Sequence, residues 1–204
     1  MPTPVRGLTQ PERVQTSARR LLEAAASLIV EKGWEATTAA DIGRRAGYSR
    51  AMVHARYGTK DAILEAFLHE YVRRLDPAPD PDGDGMAQVL AHVDRIHDLY
   101  LTDREVLRAM FVATFEAVKS TSPLRDRVGA QMREGAAKIH TALRTGIADG
   151  SVRADIDVAA AVDDITAAVF GIGFHWVVLP HHDLEAALSA VRARILRDYS
   201  GADS

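Results

Sequence analysis

Between Thr38 and Tyr57 the chain holds two helix-length segments separated only by Gly47, Tyr48 and Ser49. So little linker leaves a pair of short crossing helices as the available fold. Thr38 offers a hydroxyl to the orphan N–H groups of a helix start, and Asp41, three residues on, can reach back as the other half of a capping box. That helix ends at Gly47, and Ser49 caps a second one over about residues 50 to 56. Ile42, Ala46, Val53 and Tyr57 form the inward set, so the opposite faces are left to solvent or to a partner.

The flanking sequence is helical as well. A helix over about 12 to 32 is predicted from Leu21, Ala25 and Leu28 with Leu22, Ala26 and Ile29; Gly33 stops it and Trp34 follows as an apolar plug. Thr59 caps a helix striped with Ile63, Leu64, Phe67, Leu68, Tyr71, Val72 and Leu75. The run PAPDPDGDG at 77 to 85 cannot continue a helix and marks a boundary. Helical patterns resume over about 86 to 101, 103 to 119, 124 to 148, 157 to 178 and 183 to 199, with stops at Ser122-Pro123, Gly150 and Pro180. No run alternates as a strand would. The expected fold is all-α with about nine helices: a flexible arm (1–11), a three-helix domain with its helix-turn-helix (12–76), a linker (77–85), and a second helical domain (86–204).

Composition narrows the function classes. Hydrophobic residues make up 47% and charged residues 26%, ordinary for a packed globular chain. With no cysteine, neither a disulfide framework nor a thiolate metal site can be built, and with no signal-peptide pattern the expected location is cytoplasmic. No stretch of about 18 consecutive apolar residues predicts a membrane span. The net charge of -3 conceals an asymmetry: residues 1–75 carry 12 Lys and Arg against 8 Asp and Glu, whereas residues 76–204 carry 13 against 20. Only the first part has the sign that suits a polyanion.

In a helix-turn-helix the second helix enters the major groove while flanking N–H groups and cations hold phosphates. Thr38 and Ser49 would present helix N-termini to phosphate. Arg50 can donate two hydrogen bonds to guanine, and Ala51 can touch a thymine methyl. His54, Arg56 and Lys60 supply positive donors beyond them, while Arg44 and Arg45 read as solvated unless Arg45 lies near phosphate.

The segment TTAADIGRRAGYSRAMVHARYGTKDAIL, residues 37 to 64, resembles the signature of the TetR family of transcriptional repressors. Thr38, Ile42, Ala46, Gly47, Ser49, Val53, Lys60 and Leu64 match that pattern in type and spacing, with Gly43 as the small residue after Ile42. GSVRADIDVAAAV at 150 to 162 and the later GIGFHW are similar to the family's eighth helix. The resemblance implies DNA binding at Thr38, Arg45, Ser49, Arg50, Ala51, His54, Arg56 and Lys60, a homodimer through the last two helices, and a small-molecule effector. Two departures stand out: His54 replaces the family's usual phosphate-binding Tyr, and Ala55-Arg56-Tyr57 replaces its aromatic-His-Phe. An imidazole therefore stands where a phenol is usual, and the operator of a relative cannot be transferred.

In the second half, Met110, Phe111, Thr114 and Phe115, with His97, Met132, Phe170 and Phe174, are candidates for lining a largely apolar effector site, core packing being the other reading of each. The Arg6 arm is a further candidate for minor-groove contact. HHDLE at 181 to 185 contains His-x-x-Glu but no partner pair at helical spacing, so neither a metal site nor a cofactor is expected. No nucleophile-base-orienter set and no glycine-rich phosphate loop points to an enzyme. The helices at about 157–178 and 183–199 are apolar enough to pair with a second copy, Gly171 and Gly173 permitting close approach. The reading is a ligand-responsive repressor that binds a palindromic double-stranded DNA operator as a dimer; the alternatives are a helical small-molecule-binding adaptor or an enzyme without DNA binding.

Overall fold

A computed structural model describes residues 9–76, 83–119, 121–122 and 124–201, with backbone only at 71–73. Arg6 and most of the arm, linker residues 77–82, Pro123, and the side chains of Tyr71 and Val72 lie outside the described residues. Among the described residues there are nine helices and no strand: α1 (Gln10–Ala36), α2 (Ala39–Ala46), α3 (Arg50–Tyr57), α4 (Lys60–Leu75), α5 (Gly85–Thr102), α6 (Arg104–Glu116), α7 (Arg125–Asp149), α8 (Val158–Val178) and α9 (Leu184–Tyr199). They fall into two compact units, one within Met1–Arg73 and Glu105–Glu116, the other within Arg74–Arg104 and Ala117–Ser204.

The first unit joins α6 to the four N-terminal helices. Its core is Leu21, Ala25, Ile29 and Trp34 of α1, Ile42, Val53, Ile63, Phe67 and Leu107, all essentially inaccessible. Each large side chain so buried contributes about 1.5–3 kcal/mol before its ordering entropy is counted. The first helix is longer than its periodicity predicts. It begins at Gln10, where the Glu12 carboxylate accepts hydrogen bonds from the Thr9 N–H at 2.7 Å and hydroxyl at 2.8 Å. It does not end at Gly33. That residue breaks the helical geometry (φ 78°, ψ 164°), and a further turn carries the chain to Ala36. The positive φ favours glycine there.

The second unit contains α5, α7, α8 and α9. Helices α5 and α7 approach closely: a Cβ on Gly85 would collide with the backbone of Gly146, and on its other side a Cβ on Gly146 would collide with the Val152 side chain. Aspartates begin three of its helices. Asp84 accepts from the Ala87 N–H at 2.7 Å, Asp157 from Ala159 at 2.9 Å, and Asp183 from Ala186 at 3.0 Å, each meeting orphan donors of a helix start. Asp164 on α8 binds Arg194 at 2.9 Å and accepts from the Tyr199 hydroxyl at 3.0 Å, tying α9 to α8. Burial first, and then the Asp164 carboxylate, push the Tyr199 phenol up to about 12. An isolated antiparallel bridge joins Val152 to Ser200.

Helix α8 is long and apolar enough to cross a membrane by length and composition, with a mean hydropathy of 1.4, yet only 22% of that window is buried within the chain. Its uncovered surface includes Phe174 and Val178, 49% and 53% exposed.

Candidate DNA-binding site

The α2–α3 pair is set by local chemistry. The Thr38 hydroxyl accepts the Asp41 N–H at 3.1 Å while the Asp41 carboxylate accepts the Thr38 N–H at 3.1 Å, a complete capping box. Gly47 takes the left-handed conformation (φ 79°) and closes α2 onto the Arg44 and Gly43 carbonyls. The Ser49 hydroxyl then accepts the Met52 N–H at 3.2 Å and starts α3. Gly43 has a second reason to be small: a Cβ there would sit 2.9 Å from the Tyr48 carbonyl oxygen and 3.0 Å from Val53 Cγ2, so the two helices meet across it. Ile42 and Val53 are buried as the inward set requires, whereas Ala46 and Tyr57 are half-buried.

Outward, Arg50, Ala51 and His54 are all exposed, and Val53 is the one fully buried residue of α3. The first turn of α3 is therefore bare on the side away from the core. The other candidate contacts are held by the protein itself. Arg56 Nη1 donates to the Val14 carbonyl at 3.0 Å, linking the end of α3 to α1. Lys60 Nζ donates to the Glu35 carbonyl at 3.1 Å and lies 4.7 Å from the Trp34 ring centroid. Burial lowers the pKa of that ammonium, and the neighbouring carboxylates Asp61, Glu116 and Glu35 oppose the shift. Arg44 and Arg45, which the sequence reads as solvated, are exposed but paired: Arg44 with Asp41, and Arg45 with Glu31, while Arg45 Nη1 also donates to the Ser27 hydroxyl at 2.6 Å. Asp41 is further bound by Lys32 Nζ at 2.7 Å. The Lys32 ammonium first, and then the Thr38 hydroxyl, hold its carboxyl well below the ordinary range.

Sequence reasoning missed several of these residues. Glu31 and Ser27 of α1 meet Arg45 of α2 across 14 and 18 positions, a contact that depends on how the two helices pack and not on any pattern within one helix. Glu116, the last residue of α6, accepts the Trp34 N–H at 2.9 Å across 82 positions, and a Cβ on Gly33 would collide with the same carboxylate. A glycine-tryptophan pair after an amphipathic run was the available signal, but it names no partner.

The candidates for an effector site divide between the units. Met110 and Phe111 are buried in α6 in the first unit, the Thr114 hydroxyl donates to the Met110 carbonyl at 2.8 Å, and Phe115 stacks on Phe111 with ring centroids 6.0 Å apart. His97, Met132, Phe170 and Phe174 belong to the second unit; Met132 and Phe174 are exposed and Phe170 is half-buried. His97 Nε2 lies 3.8 Å from Glu185 Oε1. In HHDLE, His182 meets the His175 ring edge-on at 5.4 Å and Asp183 caps α9. Among the described residues, no group of three His, Asp or Glu side chains is arranged to hold a metal ion.

Comparison with known proteins agrees with this geometry. Residues 21–67 match the pattern described as bacterial regulatory proteins, tetR family. The chain is 29% identical over 161 residues to the HTH-type transcriptional regulator YdeS of Bacillus subtilis, covering 78% of each chain. It is 26% identical over 162 residues to the HTH-type transcriptional repressor KstR2 of Mycolicibacterium smegmatis, covering 71% of this chain and 72% of that one. Among solved structures, SmeT in complex with triclosan superposes with a TM-score of 0.78 at 22% identity over 93% of this chain and 94% of that one. SmeT is the repressor of the Stenotrophomonas maltophilia multidrug efflux pump SmeDEF. MbdR of Azoarcus sp. CIB superposes with a TM-score of 0.72 at 21% identity, over 88% of this chain and 97% of that one.

Proposed function

The chain belongs to the TetR family of bacterial transcriptional regulators, and on that footing we propose that it is a ligand-responsive repressor binding a palindromic operator as a homodimer. The observation that carries the reading is α3, whose Arg50, Ala51 and His54 face outward from a helix fixed at both ends. A helix so presented fits a major groove: Arg50 pairs bidentately with guanine, Ala51 meets a thymine methyl, and the N-termini at Thr38 and Ser49 receive phosphates. Arg45, His54, Arg56 and Lys60 complete the backbone contacts, three of them after exchanging a protein partner for a phosphate oxygen.

The reading takes residues 12–76 as the DNA-binding domain and 86–204 as the ligand-binding and dimerisation domain. The second copy pairs through α8 and α9, a proposal supported by the apolar surface that α8 leaves uncovered. A stable isologous interface buries about 1,200 Å² or more. Two-fold symmetry then sets half-sites about 34–36 Å apart on cytoplasmic DNA.

The effector is apolar in this reading, taken by some of Met110, Phe111, Thr114, Phe115, His97, Met132, Phe170 and Phe174; the triclosan bound by SmeT supports that chemistry. An effector releases the operator only through its differential affinity for two conformations of the dimer. Footprinting on the DNA flanking the chain's own gene tests the assignment: protection of one palindrome at low salt is expected, and no protected sequence overturns it. A thermal-shift screen seeded with triclosan tests the effector class, since a binder at 100 times its Kd adds about 2.7 kcal/mol.

A further inference from the structure

Beside the reading head, the two arginines of α2 are already matched to carboxylates. On the last turn of α2, Arg44 pairs with Asp41 and Arg45 with Glu31, while Asp41 also holds Lys32. Arg45 is doubly held, because the Ser27 hydroxyl of α1 accepts from its other terminal nitrogen at 2.6 Å. Ser27 and Glu31 lie four positions apart, hence on one face of α1, and together they occupy the guanidinium fork from that side. The pair is open to water, Arg45 being 41% and Glu31 57% exposed, so a DNA phosphate can reach the same guanidinium.

From this we infer that Glu31 is an affinity-setting residue, an intramolecular rival of the DNA phosphate for Arg45. The inference rests on the reading of α2 and α3 as the DNA-contacting surface. A phosphate that takes Arg45 must displace the Glu31 carboxylate or accept its negative charge nearby. Either way the protein withholds one cation per reading head from the counterion exchange that drives sequence-independent binding. Because Glu31 rivals a phosphate and not a base, it weakens operator and random DNA alike. It lowers the background on which Arg50 and Ala51 discriminate.

The test uses full-length protein, a footprinted operator duplex and a random duplex of equal length, with affinity followed from 50 to 200 mM salt. Glu31→Gln keeps the size of the side chain and removes the charge. It is expected to bind both duplexes about three- to tenfold more tightly at low salt, the scale of an exposed ion pair acting in two subunits. Its salt slope should steepen by about one per reading head. In an Arg45→Ala background the same substitution should yield a much smaller gain, the difference being the coupling between the two side chains. Ser27→Ala removes the neutral acceptor alone and should tighten binding slightly at an unchanged slope.

Equal or weaker binding by Glu31→Gln at an unchanged Tm overturns the inference and makes Glu31 a positioning residue for Arg45. An undiminished gain in the Arg45→Ala background also overturns it, in favour of general field repulsion. If Glu31→Gln does not fold, the sign of the Ser27→Ala effect decides, weakening being contrary. Should the unsubstituted protein bind neither duplex at 50 mM salt, the DNA-contact reading falls and the rivalry with it. Binding by the unsubstituted protein without the Glu31 effect removes only the rivalry.

Discussion

Helices α3 and α8 both leave most of their surface uncovered, yet the uncovered surfaces are chemically opposite. Of the eight residues of α3 only Val53 is buried, and its exposed turn carries Arg50, Ala51 and His54. Of the 21 residues of α8, Ala161, Val162, Ile165, Gly173 and Trp176 are buried, and much of what remains outside is apolar. A polar uncovered helix is stable in water and can wait for a charged partner. An apolar one loses the free energy of burial, about 25 cal/mol per Å², until something covers it. The difference separates a surface suited to a charged partner from one whose apolar area favours lasting cover.

The strongest way to break this contrast is to make α8 resemble α3. A Phe174→Arg, Val178→Arg double substitution is expected to convert the dimer to monomers in sedimentation equilibrium. Operator affinity should drop at least about a hundredfold as the two heads lose their linkage. A persisting dimer would mean that α8 is covered by something other than a second copy.

Next in size is the division of labour on the reading surface. Arg50→Ala should remove about 1–3 kcal/mol of discrimination between operator and random DNA, measured by competition anisotropy. Lys60→Ala should instead weaken both sequences alike and make the salt slope shallower by about one per reading head. A lowered Tm with an unchanged slope would reassign Lys60 to its Trp34 and Glu35 contacts alone.

A smaller effect sharpens the α8 side. A Cβ on Gly171 meets nothing within 4 Å in the single chain, so Gly171→Ala should raise Tm through helix propensity, worth about 0.5–1 kcal/mol. If a second copy packs closely there, the same substitution weakens dimerisation instead, and dilution experiments read that directly.

The smallest concerns Asp41. Its folded-state pKa is depressed, so its contribution is complete above the ordinary carboxylate range and is lost as pH falls through that range toward the folded value. Asp41→Asn should therefore lower stability most at neutral pH, where the Lys32 pair and the cap are both complete, and flatten the acid limb below about pH 4, where the deficit closes. An unaltered acid limb in urea titrations would refute that assignment.

What could be read in the sequence is what is local. Thr38, Asp41 and Ser49 act within three residues of themselves, so their caps follow from spacing alone. The inward set was legible where periodicity decides it, at Ile42 and Val53, and less so at Ala46 and Tyr57, near the ends of short helices. The pairings of Arg45 and Arg56 and the Glu116 contact were not legible, because each is made by residues that only tertiary packing brings within reach. Gly33 is instructive for the same reason. The break at Gly33 is legible in the sequence, but the chain continues to Ala36 with the Trp34 N–H donating to Glu116, a contact that no local rule supplies.

The chain's two tryptophans fall one in each unit, and their surroundings differ. Trp34 is buried beneath the Lys60 ammonium, while Trp176 meets Tyr100 edge to face with ring centroids 5.8 Å apart. Each unit thus carries its own intrinsic fluorophore, one beside a fixed positive charge and one beside a phenol. In a Trp34→Phe protein, emission would come from the second unit alone; in a Trp176→Phe protein, from the first unit alone. Paired spectra would follow effector and operator binding separately, in unlabelled protein and in real time.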